Sequence, residues 1–224
     1  VGILNGIDYT YFPRKFSHLN ALKQKAQSKK DLKIELGLKQ GDQPLFSFVS
    51  RLDPGQKGLD ILYESVSTIV DNGGQFVLVG TGDKTWEEKF SNLESDARFK
   101  NNVSAKIIFD TKLANDVYQA SDFFLIPSKY EPCGLTQMIA MWYGTLPIVR
   151  EVGGLKDTVK HGQNGFVFKN YSSEDLDKAV LEALKVYGTE KQNQMIEKAM
   201  ACDFSWDKSA KIYKELYERV ISLR

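Results

Sequence analysis

The sequence predicts an α/β protein built on a doubly wound parallel sheet of about six strands, with helices on both faces and a helical carboxyl-terminal tail. Three observations carry this expectation. Short apolar runs alternate with helical periodicities over most of the 224 residues, the order that produces parallel strands joined by right-handed crossovers. The apolar runs are near-continuous rather than alternating, as in strands covered on both sides. After Phe168 the strand signal stops and helical patterns take over.

Taken in order, residues 9–20 mix aromatics, Pro13 and polar side chains and read as a loop. A Lys-rich helix spans Asn20 to Leu36, with Gly37 as its C-terminal stop. Strand-like runs follow at 45–49, 75–79, 105–109, 123–126, 146–149 and 165–168. Helical patterns lie between them at 59–72, 85–93, 112–119, 135–143 and 155–159. The tail holds three more, at 173–187, 191–201 and 206–223. Ser172 and the acids Glu174 and Asp175 open the first of these, a hydroxyl cap followed by negative charge in the first turn.

Composition narrows the function classes. Lys and Arg number 30 against 29 Asp and Glu, which argues against a nucleic-acid or membrane-surface binder. A hydrophobic content of 42% supports a proper core. Cys133 and Cys202 make neither a disulfide framework nor a metal-ligand spacing, which favours a reducing compartment. No apolar run approaches the roughly 20 residues that span a bilayer. The opening Val1-Gly2-Ile3-Leu4 has neither an initiator methionine nor a signal-peptide pattern and reads as the interior of a longer chain.

The chemistry is concentrated in loops that leave strand ends, the ligand-binding edge of an open parallel sheet. Ser50-Arg51-Leu52-Asp53-Pro54-Gly55-Gln56-Lys57-Gly58 offers two cations, with glycines that permit close backbone approach. Fixed cations stabilise a departing diphosphate best in a water-poor site; a solvated turn is the plainer reading of the same residues. Glu131-Pro132-Cys133-Gly134-Leu135-Thr136-Gln137 offers a carboxylate on extended backbone, then a helix expected to start at Gly134, whose free N–H groups suit phosphate or sugar oxygens. The plainer alternative makes Glu131 an electrostatic cap for that helix. Gly80-Thr81-Gly82-Asp83 and Gly153-Gly154 are weaker signals, more often tight turns. The chain has no Gly-x-Gly-x-x-Gly opening a helix, no ATPase phosphate loop and no Gly-x-Ser-x-Gly elbow. His18 and His161 stand outside any motif and read as surface or loop residues. No metal site is expected.

The stretch Pro127-Ser128-Lys129-Tyr130-Glu131-Pro132-Cys133-Gly134-Leu135-Thr136-Gln137-Met138 resembles the sugar-nucleotide loop of bacterial glycogen synthases and plant starch synthases. Other segments agree in order: Ile3 to Asp8, Ser50-Arg51-Leu52 with Gln56-Lys57-Gly58, Val79 to Asp83, Tyr143 to Arg150, Gly153 to Val159 and Asp203 to Trp206. The resemblance covers the whole chain. It implies the carboxyl-terminal, donor-binding half of a two-part Rossmann-like (GT-B) glycosyltransferase: residues 1–20 as an interdomain hinge, residues 21–224 as the sugar-nucleotide domain, and the amino-terminal acceptor domain absent. The implied reaction transfers glucose from ADP-glucose to the nonreducing end of an α-1,4-glucan with retention, with no metal or other cofactor. Arg51 and Lys57 would hold the diphosphate and Glu131 would touch the donor glucose. Cys133, Gly134, Leu135 and Thr136 would line the sugar and phosphate pocket, with Gly82 also on the donor. Asn5 would reach it from the hinge, and Phe109 would lie against adenine. The implied compartment is the bacterial cytoplasm, or a plastid in a plant.

Three departures bear on that transfer of roles. The loop between Arg51 and Lys57 is one residue longer than in the commonest bacterial form, which bears on the reach of Lys57. Lys129 replaces a usual arginine, and the two cations differ in geometry. Sucrose- and glycolipid-forming relatives place a second glutamate eight positions after the first, where this chain has Ile139. The competing readings are a retaining transferase using another sugar nucleotide, and a nucleotide- or glucan-binding module without catalysis.

Overall fold

The computed structural model describes residues 2–14 and 20–223. Six strands form one sheet: β1 (Leu45–Val49), β2 (Gln75–Val79), β3 (Val103–Lys106), β4 (Phe123–Ile126), β5 (Leu146–Arg150) and β6 (Phe166–Phe168). Their spatial order is β3-β2-β1-β4-β5-β6, and every pairing is parallel. The chain thus winds outward from β1 in one direction and from β4 in the other. The switch point, the place where such sheets bind ligands, lies between the carboxyl ends of β1 and β4.

Nine helices are described: α1 (Ala21–Glu35), α2 (Leu59–Asp71), α3 (Lys84–Ser95), α4 (Thr111–Ala120), α5 (Thr136–Trp142), α6 (Gly153–Thr158), α7 (Ser173–Val186), α8 (Glu190–Met200) and α9 (Trp206–Ile221). α2 packs on α7, α1 on α4 and α5 on α8. The strand side chains between these layers are almost all buried, which explains the unbroken apolar runs. Asp83, Asp110, Ser172, Thr189 and Ser205 cap α3, α4, α7, α8 and α9 through their side chains, each satisfying a first-turn N–H.

One expectation needs correction here. β3 covers Val103–Lys106 rather than residues 105–109. Ser104 is buried inside the strand, whereas Ile108 and Phe109 are exposed beyond it, so the apolar signal sat on the loop. The Lys-rich helix α1 keeps three of its lysines out of solvent: Lys25, Lys29 and Lys33 are buried along one face. Lys29 Nζ lies 3.0 Å from Asp122 Oδ2, which also accepts the Leu45 N–H at 2.7 Å. Lys25 donates to the Gln119 and Tyr143 carbonyls and to Thr145 Oγ1. The ammonium of Lys25 therefore ties α4 to the chain leaving α5, where helix-end carbonyls favour a cation.

The amino-terminal segment packs on the start of the tail. Ile7 is buried and donates to the Phe204 carbonyl at 2.7 Å, and Ser209 Oγ donates to the Leu4 carbonyl at 2.8 Å. No described helix is long and apolar enough to cross a membrane.

Candidate active site

The switch point is where the two motif loops meet. Ser50–Gly58 leaves β1 and residues 127–135 leave β4, and the pairing Phe46–Phe123 and Ser47–Phe124 sets them side by side. Gly58 begins α2 with a left-handed backbone (φ 69°), and a Cβ there would lie 2.1 Å from the Pro127 carbonyl oxygen. Only glycine meets both demands. Its close approach is thus to the neighbouring loop of the protein.

This apposition joins the two sequence-predicted charges. Lys57 Nζ lies 2.7 Å from Glu131 Oε2, with side chains 15% and 10% exposed. Ser128 Oγ donates to the same carboxylate oxygen at 3.1 Å. Asp53 shapes the loop that delivers Lys57: its carbonyl accepts from the Gln56 and Lys57 N–H groups, and its Oδ1 accepts from the Gly55 N–H at 2.9 Å. Glu131 is therefore a buried ion-pair partner, and the helix-cap alternative gives way: α5 begins five residues later.

Further bonds stitch the loops together. The Lys129 N–H donates to the Gln56 carbonyl at 2.7 Å, and Lys129 Nζ to the Pro54 carbonyl at 3.0 Å. Arg150, ending β5, donates through one guanidinium nitrogen to the Lys129 carbonyl at 2.6 Å and the Ser128 carbonyl at 3.3 Å. Its guanidinium lies 5.4 Å from the Tyr171 ring centre, and the Tyr171 hydroxyl donates to Asp60 in the first turn of α2. Burial and the Asp60 carboxylate together push the Tyr171 hydroxyl pKa upward. Ser128, Arg150, Tyr171 and Asp60 were not singled out from sequence. Ser128 and Arg150 each lie within a motif run, but their partners are distant in the chain.

The loop after Glu131 differs from expectation in one respect. α5 starts at Thr136, not Gly134, and Gly134 itself takes a left-handed backbone (φ 73°). Gln137 folds back, donating to the Cys133 carbonyl at 3.1 Å, the Gly134 carbonyl at 2.9 Å and Thr158 Oγ1 at 3.2 Å. Gly153 and Gly154 press on the same stretch. A Cβ at Gly153 would come within 1.9 Å of the Glu131 carbonyl oxygen, and the Gly154 N–H donates to that oxygen at 3.0 Å. The diglycine is thus the floor beneath Glu131 and Cys133. Cys133, Gly134 and Thr136 are half-buried and Leu135 is exposed.

Arg51 and Phe109 meet elsewhere on the same edge. They line a cleft of about 170 Å³ with Ser50, Gly80, Thr81 and Ile108. Arg51 is exposed and has no ion pair among the described residues. Phe109 stands 86% exposed, three residues past β3. Gly82 does not line this cleft: its N–H donates to Glu87 Oε1 at 2.9 Å and its Cα lies against the Leu52 backbone. Asn5 lines a different cleft, of about 430 Å³, with Leu4, Asp157, Lys160 and Ser205. Thr158, on that cleft, is bonded to Gln137, which links it to the 133–136 loop.

Among the described residues no group of three or more His, Cys, Asp or Glu side chains is placed to hold a metal ion. Ile139 is buried in the core, so no second carboxylate stands eight positions after Glu131. His161 accepts from the Val167 N–H at 3.1 Å and lies 3.4 Å from Glu182, a tie between the turn before β6 and α7. His18 lies outside the described residues.

The profile of the family described as "Glycosyl transferases group 1" matches residues 29–201. The chain is 44% identical to a glycogen synthase of Kosmotoga olearia over 99% of its own length and 49% of that protein's. To a glycogen synthase of Thermosipho melanesiensis it is 46% identical, over 100% and 49%. Among solved structures it is similar to the catalytic domain of starch synthase IV from Arabidopsis thaliana bound to ADP and acarbose, at 35% identity and a TM-score of 0.89, over 99% of this chain and 49% of that one. The chain spans about half the length of the curated relatives it matches.

Proposed function

The chain belongs to the glycosyl transferases group 1 family, and on that premise we propose that it is the donor-binding half of an ADP-glucose-dependent glucan synthase. In this reading it serves transfer of glucose to the nonreducing end of an α-1,4-glucan with retention. The observation that carries the proposal is the placement, along one carboxyl edge of the sheet, of the Lys57–Glu131 pair between the β1 and β4 loops and of the Arg51–Phe109 cleft beside it, past β1, β2 and β3. A sugar nucleotide has the matching parts: a planar base, a diphosphate and a sugar.

Phe109 would take the base on its exposed ring, and Arg51 the diphosphate. One hydrogen of the Lys57 ammonium is engaged by Glu131, which leaves two to meet phosphate oxygens. As the bond to the anomeric carbon breaks, negative charge grows on the diphosphate and fixed cations stabilise it most at that moment. Glu131 Oε2 is held by Lys57 and Ser128, so Oε1 is the oxygen left to face the sugar as its anomeric carbon becomes cationic. Cys133, Gly134, Leu135 and Thr136 would line that sugar. Asn5 is proposed to approach from the hinge side, residues 1–20, and Gly82 to act through the shape of its loop, since its N–H is engaged. The glucan acceptor would be met by an amino-terminal half like those of the relatives. The proposed working compartment is the bacterial cytoplasm or a plastid, and no metal is assigned a role.

Isothermal titration with ADP-glucose, ADP and UDP-glucose tests the reading. Binding of the two adenine ligands, weakened in Arg51→Ala, is the expected result. Absence of adenine-nucleotide binding would overturn it, and a clear preference for UDP-glucose would move the protein to a different donor.

A further inference from the structure

We propose that Arg150 is a positioning residue that fixes the carboxylate of Glu131 relative to the ammonium of Lys57. This rests on the donor-site reading given above. The physical path is continuous. Arg150 projects from the last residue of β5 and bonds two successive carbonyls, Ser128 at 3.3 Å and Lys129 at 2.6 Å, with a single guanidinium nitrogen. Two carbonyls held from one point fix the peptide plane between them. That plane sets the direction of Ser128 Oγ, which in turn donates to Glu131 Oε2 at 3.1 Å. The Lys129 N–H, on the near side of the same residue, reaches across to the Gln56 carbonyl, the residue before Lys57. Arg150 therefore holds a segment that touches both halves of the pair, Glu131 through Ser128 Oγ and the Lys57 loop through the Lys129 N–H.

The guanidinium is itself prevented from wandering. It faces the Tyr171 ring at 5.4 Å, and Tyr171 is anchored by its hydroxyl to Asp60 on α2. Arg150 Nε is buried and without a partner among the described residues. Leaving a buried donor unmade is costly, and here the orientation that orphans Nε is the one that satisfies both loop carbonyls. A lysine at this position has enough donors for both carbonyls but carries them on a compact ammonium, without the planar guanidinium that faces Tyr171.

The test compares Arg150→Met and Arg150→Lys with Ile69→Ala, a core variant on α2 remote from the loops, chosen to lose stability. Two readouts are used: kcat and KM for ADP-glucose in the full-length protein, and the 13C resonance of the Glu131 carboxylate in this chain without ligand. Arg150→Met is expected to lower kcat about 10- to 100-fold, the scale of a misplacement near 1 Å, with KM within about threefold of wild type. Arg150→Lys should recover part of the rate, and the Glu131 resonance should move in the methionine variant and return toward wild type in the lysine one. A wild-type kcat in Arg150→Met overturns the assignment, as does a loss that matches Ile69→Ala at equal loss of stability with an unmoved resonance. If wild type fails to turn over ADP-glucose, the donor-site reading falls, and the carboxylate resonance alone still decides whether Arg150 positions Glu131.

Discussion

Lys57→Met removes one member of the pair at the switch point and should be costly even without ligand. The two side chains are 15% and 10% exposed and meet at 2.7 Å, so the variant strands the Glu131 carboxylate with Ser128 as its remaining side-chain donor. Breaking a buried pair by deleting one partner costs about 3–5 kcal/mol. Because this pair sits at an open edge, the lower end, about 3 kcal/mol, is the appropriate figure. At this chain length each kcal/mol moves the melting temperature about 2–4 °C, so a loss of about 6–12 °C is expected by calorimetry. Lys57→Met with Glu131→Met removes both charges and should return to within about 1 kcal/mol of wild type, since well-packed apolar replacements of buried pairs are often neutral. Excess ADP should raise the wild-type melting temperature by mass action and raise both variants much less. A single variant that melts within about 2 °C of wild type, or a double variant as unstable as the single, would refute the account of the pair as a buried, mutually compensating unit.

Three other outcomes follow from named contacts. Arg51 is exposed with no ion pair among the described residues, so Arg51→Ala should leave thermal stability unchanged while weakening ADP binding by about 1.5–3 kcal/mol, the range for hydrogen bonds to charged groups; a thermal melt reads the first and titration calorimetry the second. Phe109 is 86% exposed, so Phe109→Ala should also leave the fold intact, weaken adenine nucleotides by about 1–3 kcal/mol through lost stacking, and leave inorganic diphosphate binding unaltered. Burial holds the Lys25 ammonium down to about 7, with the Asp122 carboxylate opposing that shift and Lys29 adding to it; the unfolded chain then carries the extra proton from about pH 7 up to the usual lysine value, so stability should rise with pH across that window by at most about 1.4 kcal/mol per unit, and denaturant titrations of Lys25→Met should show a flatter rise.

Much of the sheet was legible because its strands are sandwiched. Leu45–Val49, Gln75–Val79 and Phe123–Ile126 coincide with their apolar runs, since burial on both faces removes the polar residues that blur strand ends. β3 was displaced for the complementary reason: Ile108 and Phe109 are apolar to line a cleft, and one sequence cannot distinguish an apolar residue inside a core from one on a site. The burial of Lys25 and Lys29 on α1 was illegible because their acceptors, Gln119, Tyr143, Thr145 and Asp122, lie far along the chain. The chemical types at the switch point were legible, yet their partnership was not. Lys57 and Glu131 stand 74 residues apart, and only the sheet order, with β1 beside β4, brings their loops together. Arg150 and Tyr171 were missed likewise, since they reach the site from the far side of β4.

The same geometry predicts that this chain alone binds nucleotide but transfers glucose slowly. Arg51 and the Phe109 ring stand open to water, and the interaction between two charges 4 Å apart rises from about 1 kcal/mol in bulk water to about 4 kcal/mol at the effective dielectric of a protein surface, and further as water is excluded. A cation that must stabilise a departing diphosphate therefore gains most of its effect when a second surface covers the crevice. Glu131 is already held beneath the loop surface, but a carboxylate facing the anomeric carbon helps transfer only while acceptor hydroxyl and donor are held together, and alignment accounts for many of the orders of magnitude involved. Purified chain should thus bind ADP and ADP-glucose in titration calorimetry yet release ADP from ADP-glucose, with glucan present, at least about 1000-fold more slowly than a full-length glycogen synthase of the same family. Turnover by the chain alone within about tenfold of such an enzyme would show that the loops already exclude enough water and that closure adds little.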